Sequence, residues 1–383
     1  MTNYGRNQGS RIMNIHSGSI RTEFSTRPPA EGPAITMTAT PADDTATWLA
    51  LPGEENLVSV VIPTFNRLPF VQELLAALIA QSWRPLQIIV VDDGSTDGSA
   101  EWLASWRPGL PGISHEIIQR SNGGPASARN LGCTVARGRF IYFIDSDDLP
   151  APDAISALVT PLLGSDAALS LGQIEEVDMA GKRIAHVRPA WNPKHLRLNS
   201  WLTHAALYRR TTLHDAGPFN EDLRLGEDTE LHWRICASSS SVQIVDRIVG
   251  LRRRHGSDHL SLNIPVTSHV EAQFRAVASF WNWARVEQRD SDGIKHFVRT
   301  ELLDVATKLG SGGRFAAKNE AIAVAIAVGR LSPLARSITV ALFSPNQRLY
   351  YAVLAFASRA GRVLRHPSRL KRLWQPPSEY TRP

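Results

Sequence analysis

The chain has 383 residues, 43% hydrophobic and 20% charged, with a formal net charge of +6. That length holds one large α/β domain and a smaller appendage, and the composition is that of a globular chain, not a fibrous or low-complexity one. The mild basicity suits an anionic ligand, a membrane surface or no ligand at all. Basic residues are not interleaved with aromatics on one face of the core, so no nucleic-acid partner is expected.

Cys133 and Cys236 each lie in an apolar-periodic stretch without C-x-x-C spacing, which reads as two buried small hydrophobes in a reducing compartment. The opening MTNYGRNQGSRIMN has no apolar signal-peptide core, and nowhere is there a run of about 18 apolar residues. The expected location is the cytoplasm, with peripheral contact at the inner face of the cell membrane left open.

Residues 1–55, rich in Thr, Ser, Pro, Gly and Ala, read as a disordered leader. Order begins at Leu57–Ile62, a β-branched apolar run stopped by Pro63, which predicts a buried strand. Leu68 to Gln81 has the spacing of an amphipathic helix. Leu86–Val91 is a second buried strand, followed by a helix through Trp106 that Thr96 or Asp97 could cap. Ile113–Gln119 reads as a strand, Ala126–Ala136 as a helix and Phe140–Ile144 as a strand. The alternation argues for βαβ units and a mainly parallel sheet, whose ligands bind beyond the carboxyl ends of the strands. Three polar motifs fall at such ends: Pro63–Asn66, Asp92–Ser95 and Asp145–Asp148.

Beyond residue 151 the pattern is less regular. It predicts a helix over Asp153–Leu163, strands over Ala167–Val177, Ala205–Arg209 and Val242–Leu251, and a helix over Glu227–Ala237. Residues 186–204 read as a loop region and those beyond about 265 as helical.

The acidic motifs each admit two readings. Asp145 and Asp147, two residues apart at a strand end, can share Mg²⁺ or Mn²⁺ with a diphosphate, or can be a turn capping the next helix. Asp92 and Asp93 can accept from a base or a ribose, or can serve a turn with Gly94 and Ser95. Asn122–Asn130 is a glycine-rich loop opening a helix, where backbone N–H groups and Arg129 favour anions; it has neither P-loop nor G-x-G-x-x-G spacing. Glu227 and Asp228 open a helix and are either dipole complements or a general base. Arg252 to Ser261 reads as a basic loop after a strand, with His255 a potential metal or diphosphate ligand.

In this order, Val60–Arg67, Val90–Asp97, Asn122–Gly124 with Ala128–Asn130, Phe143–Asp148, Gly217–Glu221 and Gly226–Leu231 resemble glycosyltransferase family 2. His255 to Ser261 is similar to that family's H-x-x-S-x-S ending, with one extra residue before the last serine. The resemblance covers about residues 57–262. It implies an α/β GT-A (Rossmann-like) fold, a mixed, mainly parallel sheet flanked by helices, over 56–262, with a mainly helical extension over 263–383. It implies an inverting, metal-assisted glycosyltransferase that moves a sugar from a nucleotide-diphosphate donor, UDP-linked, to a hydroxyl acceptor. That acceptor would be a glycan, a lipid-linked molecule or another hydroxyl compound, in polysaccharide or surface-glycan synthesis.

On the matching positions the resemblance places Pro63, Thr64, Asn66, Arg67, Asp92, Asp93, Asn122, Arg129, Asp145 and Ser146 around the nucleotide sugar, with Asp93 reading uracil. It makes Asp147, Asp145 and His255 the ligands of Mg²⁺ or Mn²⁺, and Asp228 the base with Glu227 beside it; Asp148 is left to the turn. The competing readings are a sugar nucleotidyltransferase, whose glycine-rich signature with Arg and Lys near the first strand is missing, and a non-catalytic nucleotide-sugar-binding protein. In the C-terminal third, Trp281 and Trp283 read as core. Tyr350 to Arg372 combines helical apolar spacing with Arg359, Arg362, Arg365, Arg369, Lys371 and Arg372, which suits either packing on the domain or an anionic membrane.

Overall fold

The computed structural model describes residues 11–14, 34–35, 53–192, 197–199, 203–238, 241–255 and 266–311, and singly 318, 321, 324, 325 and 328. The basic stretch Tyr350–Arg372, for which helical spacing is expected, and most of the His255–Ser261 motif lie outside these residues. The chain divides into two compact units, 1–294 and 295–383.

In the first unit the elements run β1 (Arg11–Asn14), β2 (Ala34–Ile35), β3 (Glu54–Thr64), α1 (Leu68–Ile79), β4 (Leu86–Asp92), α2 (Ser99–Ser105), β5 (Ile113–Gln119), α3 (Pro125–Val135), β6 (Gly138–Phe143), β7 (Leu149–Pro150) and α4 (Ala154–Leu163). They continue with β8 (Leu169–Asp178), β9 (Arg183–Val187), β10 (Ala190–Asn192), β11 (Arg197–Asn199), a 3-10 turn (Thr203–Ala205), β12 (Ala206–Arg209), α5 (Arg210–Ala216), α6 (Glu227–Ser238), β13 (Val242–Arg254) and α7 (Val266–Val286).

The main sheet has the order β2-β1-β5-β4-β3-β6-β12-β8-β13-β7, with β9 also on β8. Strands β5, β4, β3 and β6 are parallel neighbours, as the βαβ pattern predicts. β12 runs antiparallel between β6 and β8, so the sheet is mixed. Two short strands from the first 55 residues extend the β5 edge in parallel register.

β3 and β4 are buried on both faces because helices cover each side. α1 buries Val71, Leu74, Leu75 and Leu78 in a core shared with Ile62, Ile88, Phe140 and Tyr142. Each such side chain contributes roughly 1.5–3 kcal/mol on burial, which holds α1 firmly behind the strand ends. Cys133 and Cys236 are buried and unbridged, and burial pushes the Cys133 thiol up to about 12.

β13 runs to Arg254, three residues past the expected end, because Arg252, Arg253 and Arg254 continue to pair with Glu176, Val177 and Asp178 of β8. These arginines therefore belong to a strand and alternate faces; they are not a loop. Trp283 is half-buried and stacks on Phe280, which also meets Trp233. Among the described residues no helix is long and apolar enough to cross a membrane. In the second unit, helix α8 (Asp292–Ser311, beginning just before the division) buries Val298, Leu302, Val305 and Leu309 at helical spacing.

Candidate functional site

The carboxyl ends of β3, β4 and β6 bring the three polar motifs to one edge, and backbone conformation locks the first two together. Asn66 sits in the left-handed region (φ 51), its N–H donating to Ser95 Oγ (2.8 Å) while its Oδ1 accepts from the Thr96 N–H (2.7 Å). Gly94 is also left-handed, and a Cβ there would come within 3.1 Å of Asn122 N, so glycine is required where the two loops pass. The N-cap positions are Arg67 and Gly98, so neither Thr96 nor Asp97 caps α2; Asp97 instead accepts, from outside the cap position, from Leu68 N (2.9 Å) at the start of α1 and from Ser99 N (3.0 Å) at the start of α2.

Thr64 is buried at the end of β3, and its hydroxyl has no hydrogen-bond partner there. Pro63 is buried beside Val91, and Asn122 is exposed. Asp92 is buried and accepts from Ser95 N (3.3 Å); burial raises its pKa above the usual value despite that bond.

Asp93 ties the glycine-rich loop to β4. Its Oδ1 accepts from Gly123 N (2.9 Å) and faces Arg120 Nε (3.2 Å), and its Oδ2 accepts from Gly124 N (2.7 Å). Burial still leaves its pKa above the usual value. A carboxylate has about four acceptor positions, so one remains for a ligand. Arg120 was not marked by the sequence; its position two residues before Asn122 is the only signal that points to it.

Arg129, on α3 and 4% exposed, lies between two acidic turns: Nη2 donates to Asp145 (2.6 Å), Nη1 donates to Glu227 (2.9 Å), and the group lies over the Phe219 ring at 5.3 Å. Its Nε is buried and has no partner. Burial disfavours its charge, but the two carboxylates outweigh that and raise its pKa. Burial likewise opposes the charge of Asp145, yet Arg129 holds that pKa below the usual value, and 39% of the Asp145 side chain stays open to water. Glu227 goes the other way: burial, then Asp228, raise it more than Arg129 lowers it. The next residue, Asn130, clamps the loop before α6 by donating to Phe219 O (2.9 Å) and Glu221 (2.8 Å) and accepting from Phe219 N (2.9 Å). Asp228 is part-exposed on the first turn of α6, accepting from the Thr229 N–H (2.6 Å).

Asp147 meets a different set. Its Oδ2 lies 2.9 Å from His255 Nε2 and 3.8 Å from Arg67 Nε. Ser146 is buried beside it. Among the described residues no group of three His, Cys, Asp or Glu side chains is arranged to hold a metal, and the Asp145 carboxylate is engaged by Arg129. Asp147 and His255 are paired with each other, an oxygen and a nitrogen side by side at the strand end.

Asp148 does more than shape the turn. Its N–H donates to Asp145 O (3.1 Å), but its buried carboxyl meets His204 Nδ1 (3.0 Å) and accepts from Arg253 N (3.2 Å). Burial and then the repulsion of Asp147 and Asp145 raise its pKa well above the usual value, and burial lowers that of His204 to about 4. His204 and Arg253 come from distant segments, so sequence spacing did not point to their meeting.

Residues 59–218 match the model of Glycosyl transferase family 2. The chain is similar to an uncharacterized glycosyltransferase, EpsJ, of Bacillus subtilis, with 27% identity over 59% of this chain and 70% of EpsJ. It is similar to the glycosyltransferase GlyG of Streptococcus pneumoniae, 33% identical over 32% of this chain and 40% of GlyG. An uncharacterized glycosyltransferase of Rickettsia felis matches at 28% over 56% of this chain, and the match covers 37% of that longer relative. In fold the chain resembles S. aureus TarS 1–349 solved with UDP-GlcNAc, with a TM-score of 0.56, 20% identity, and coverage of 79% of this chain and 92% of that one.

Proposed function

From the premise that this chain carries a glycosyltransferase family 2 domain and is a glycosyltransferase, we propose that it transfers a sugar from a UDP-linked donor to a hydroxyl acceptor with inversion, in the synthesis of a surface glycan. The observation that carries this reading is the sorting of the acids by Arg129, which binds Asp145 and Glu227 and leaves Asp147 and Asp228 for chemistry. Asp93 would receive the base through its remaining acceptor position. Thr64, with its unpartnered buried hydroxyl, would face the nucleoside. UDP is the natural probe because TarS, of like fold, was solved with UDP-GlcNAc.

Asp147 and His255 would hold Mg²⁺ or Mn²⁺ together with the donor diphosphate. Two protein ligands suffice when substrate phosphates and water complete the shell, and a carboxylate with an imidazole suits Mn²⁺. The cation would offset charge developing on the departing diphosphate. Asp228 would take the proton of the acceptor hydroxyl as its oxygen attacks the anomeric carbon from the face opposite the leaving group. Arg129 would keep Glu227 from competing for that proton by holding it in an ion pair.

The test is a hydrolysis and transfer screen over nucleotide sugars with and without Mn²⁺, on wild type and Asp147→Asn. A metal-dependent release of UDP that the variant loses supports the reading. No nucleotide sugar bound by the wild type under any metal overturns it.

A further inference from the structure

We propose that Arg253 is a positioning residue: a strut between α1 and the turn at 145–148 that sets the placement of Asp147 against His255. The inference rests on reading those two residues as the ligands of a divalent cation.

Arg253 is 6% exposed near the end of β13. Its Nε donates to Asp147 O (2.6 Å) and its backbone N–H to Asp148 Oδ1 (3.2 Å), so one residue grips the acidic turn through both main chain and side chain. Its Nη1 pairs with Glu73 of α1. Its guanidinium lies 4.8 Å over the Phe70 ring, one turn of α1 before Glu73. The same ring meets the imidazole of His255 at 4.9 Å, tilted by 32°. Phe70 is thus a shared platform for the strut and for the ligand two residues beyond it.

Both anchors of this strut are rigid. Strand β13 is held by β8 through Arg254, and α1 is pinned by its buried leucines. The turn between them is held at Asp145 by Arg129 and at Asp148 by His204, and Arg253 adds the hydrogen bond to the Asp147 backbone carbonyl itself. Glu73 is 57% exposed, and an ion pair in that setting contributes little to stability by itself. Its value is geometric: it orients the planar fork whose other edge reaches Asp147. Lysine cannot reproduce two divergent donors and a stacked plane.

The measurement is Mn²⁺ affinity in the presence of UDP, read by calorimetry, alongside metal-free UDP affinity and thermal unfolding, for wild type, Arg253→Lys and Glu73→Gln. We expect Arg253→Lys to weaken Mn²⁺ binding by about 10- to 100-fold, the usual cost of losing a residue that orients a ligand, with metal-free UDP binding unchanged. Glu73→Gln, on the surface and safe for folding, should weaken Mn²⁺ in the same direction by less, with its melting temperature intact. A fall in melting temperature with Mn²⁺ affinity at the wild-type level in both variants overturns the strut and leaves the metal reading standing. Absence of Mn²⁺-dependent UDP binding in the wild type overturns the metal reading and the strut with it.

Discussion

The turn after β6 carries Asp145, Asp147 and Asp148, the turn that opens α6 carries Glu227 and Asp228, and Arg129 reaches into both, to Asp145 at 2.6 Å and Glu227 at 2.9 Å. A guanidinium 4% exposed needs counter-charge, and it draws one acid from each turn. The other members have different surroundings. Asp147 lies against His255 and Arg67, at the strand mouth. Asp228 is part-exposed and accepts from its neighbour Thr229. The comparison teaches that acids adjacent in a motif need not share an environment: one in each turn balances the same buried cation, and its neighbour meets other partners.

The largest expected effect separates Glu227 from Asp228. Asp228→Asn should lower kcat by about 10²- to 10⁴-fold, the scale of a lost general base, with UDP affinity unchanged in titration calorimetry. Glu227→Gln should lower the melting temperature and reduce kcat far less. Equal loss of kcat in the two variants would break the division of labour.

Next in size is Arg129→Met. It leaves Glu227 buried without its partner, and should cost about 3 kcal/mol in urea unfolding, at the lower end for a broken buried pair because Asp145 reaches water. A cost below that of an ordinary surface substitution would show that the arginine does not join the two turns.

Acid sharpens the contrast because the two partners of Arg129 shift in opposite directions. Asp145 titrates in the folded state below its ordinary 3.8, so its stabilising contribution is complete above that value and is lost as pH falls through the folded pKa. Glu227 titrates above its ordinary 4.5, so its contribution is complete below that value and declines as pH rises through the folded pKa. Melting temperatures over roughly pH 3 to 7 should therefore show the deficit of Asp145→Asn growing with pH and that of Glu227→Gln shrinking. Parallel curves would sink the assignment.

The smallest effect sets the scale for a purely architectural acid. Asp97→Ala removes the acceptor of a first-turn N–H in both α1 and α2 and should cost about 1 kcal/mol, whereas Thr96→Ala should stay within about 0.5 kcal/mol. Denaturant midpoints of the two variants distinguish them.

Much of the strand-end region is legible in the sequence because it is local. Apolar β-branched runs, helical spacing and polar strand ends lie within single segments, so β3, α1, β4 and β6 were expected within a few residues of where they stand. The legible part thinned where pairing is long-range. The end of β13 was misjudged since only register with β8 keeps Arg252–Arg254 extended, and an arginine run carries no strand signal of its own. Asp148 was assigned to the turn because its partners His204 and Arg253 are 56 and 105 residues away.

From residue types and order alone came the alternation of strands and helices, the resemblance to the family whose model matches residues 59–218, and the short list of carboxylates from which metal ligand and base would be drawn. Periodicity and motif spacing are properties of neighbours along the chain, so they survive without a fold. Which carboxylate is paired with a buried arginine, which meets a histidine and which stays part-exposed were decided only when α3, β13 and α6 converged. Those outcomes depend on distance and desolvation between segments some hundred residues apart, and no local pattern encodes them.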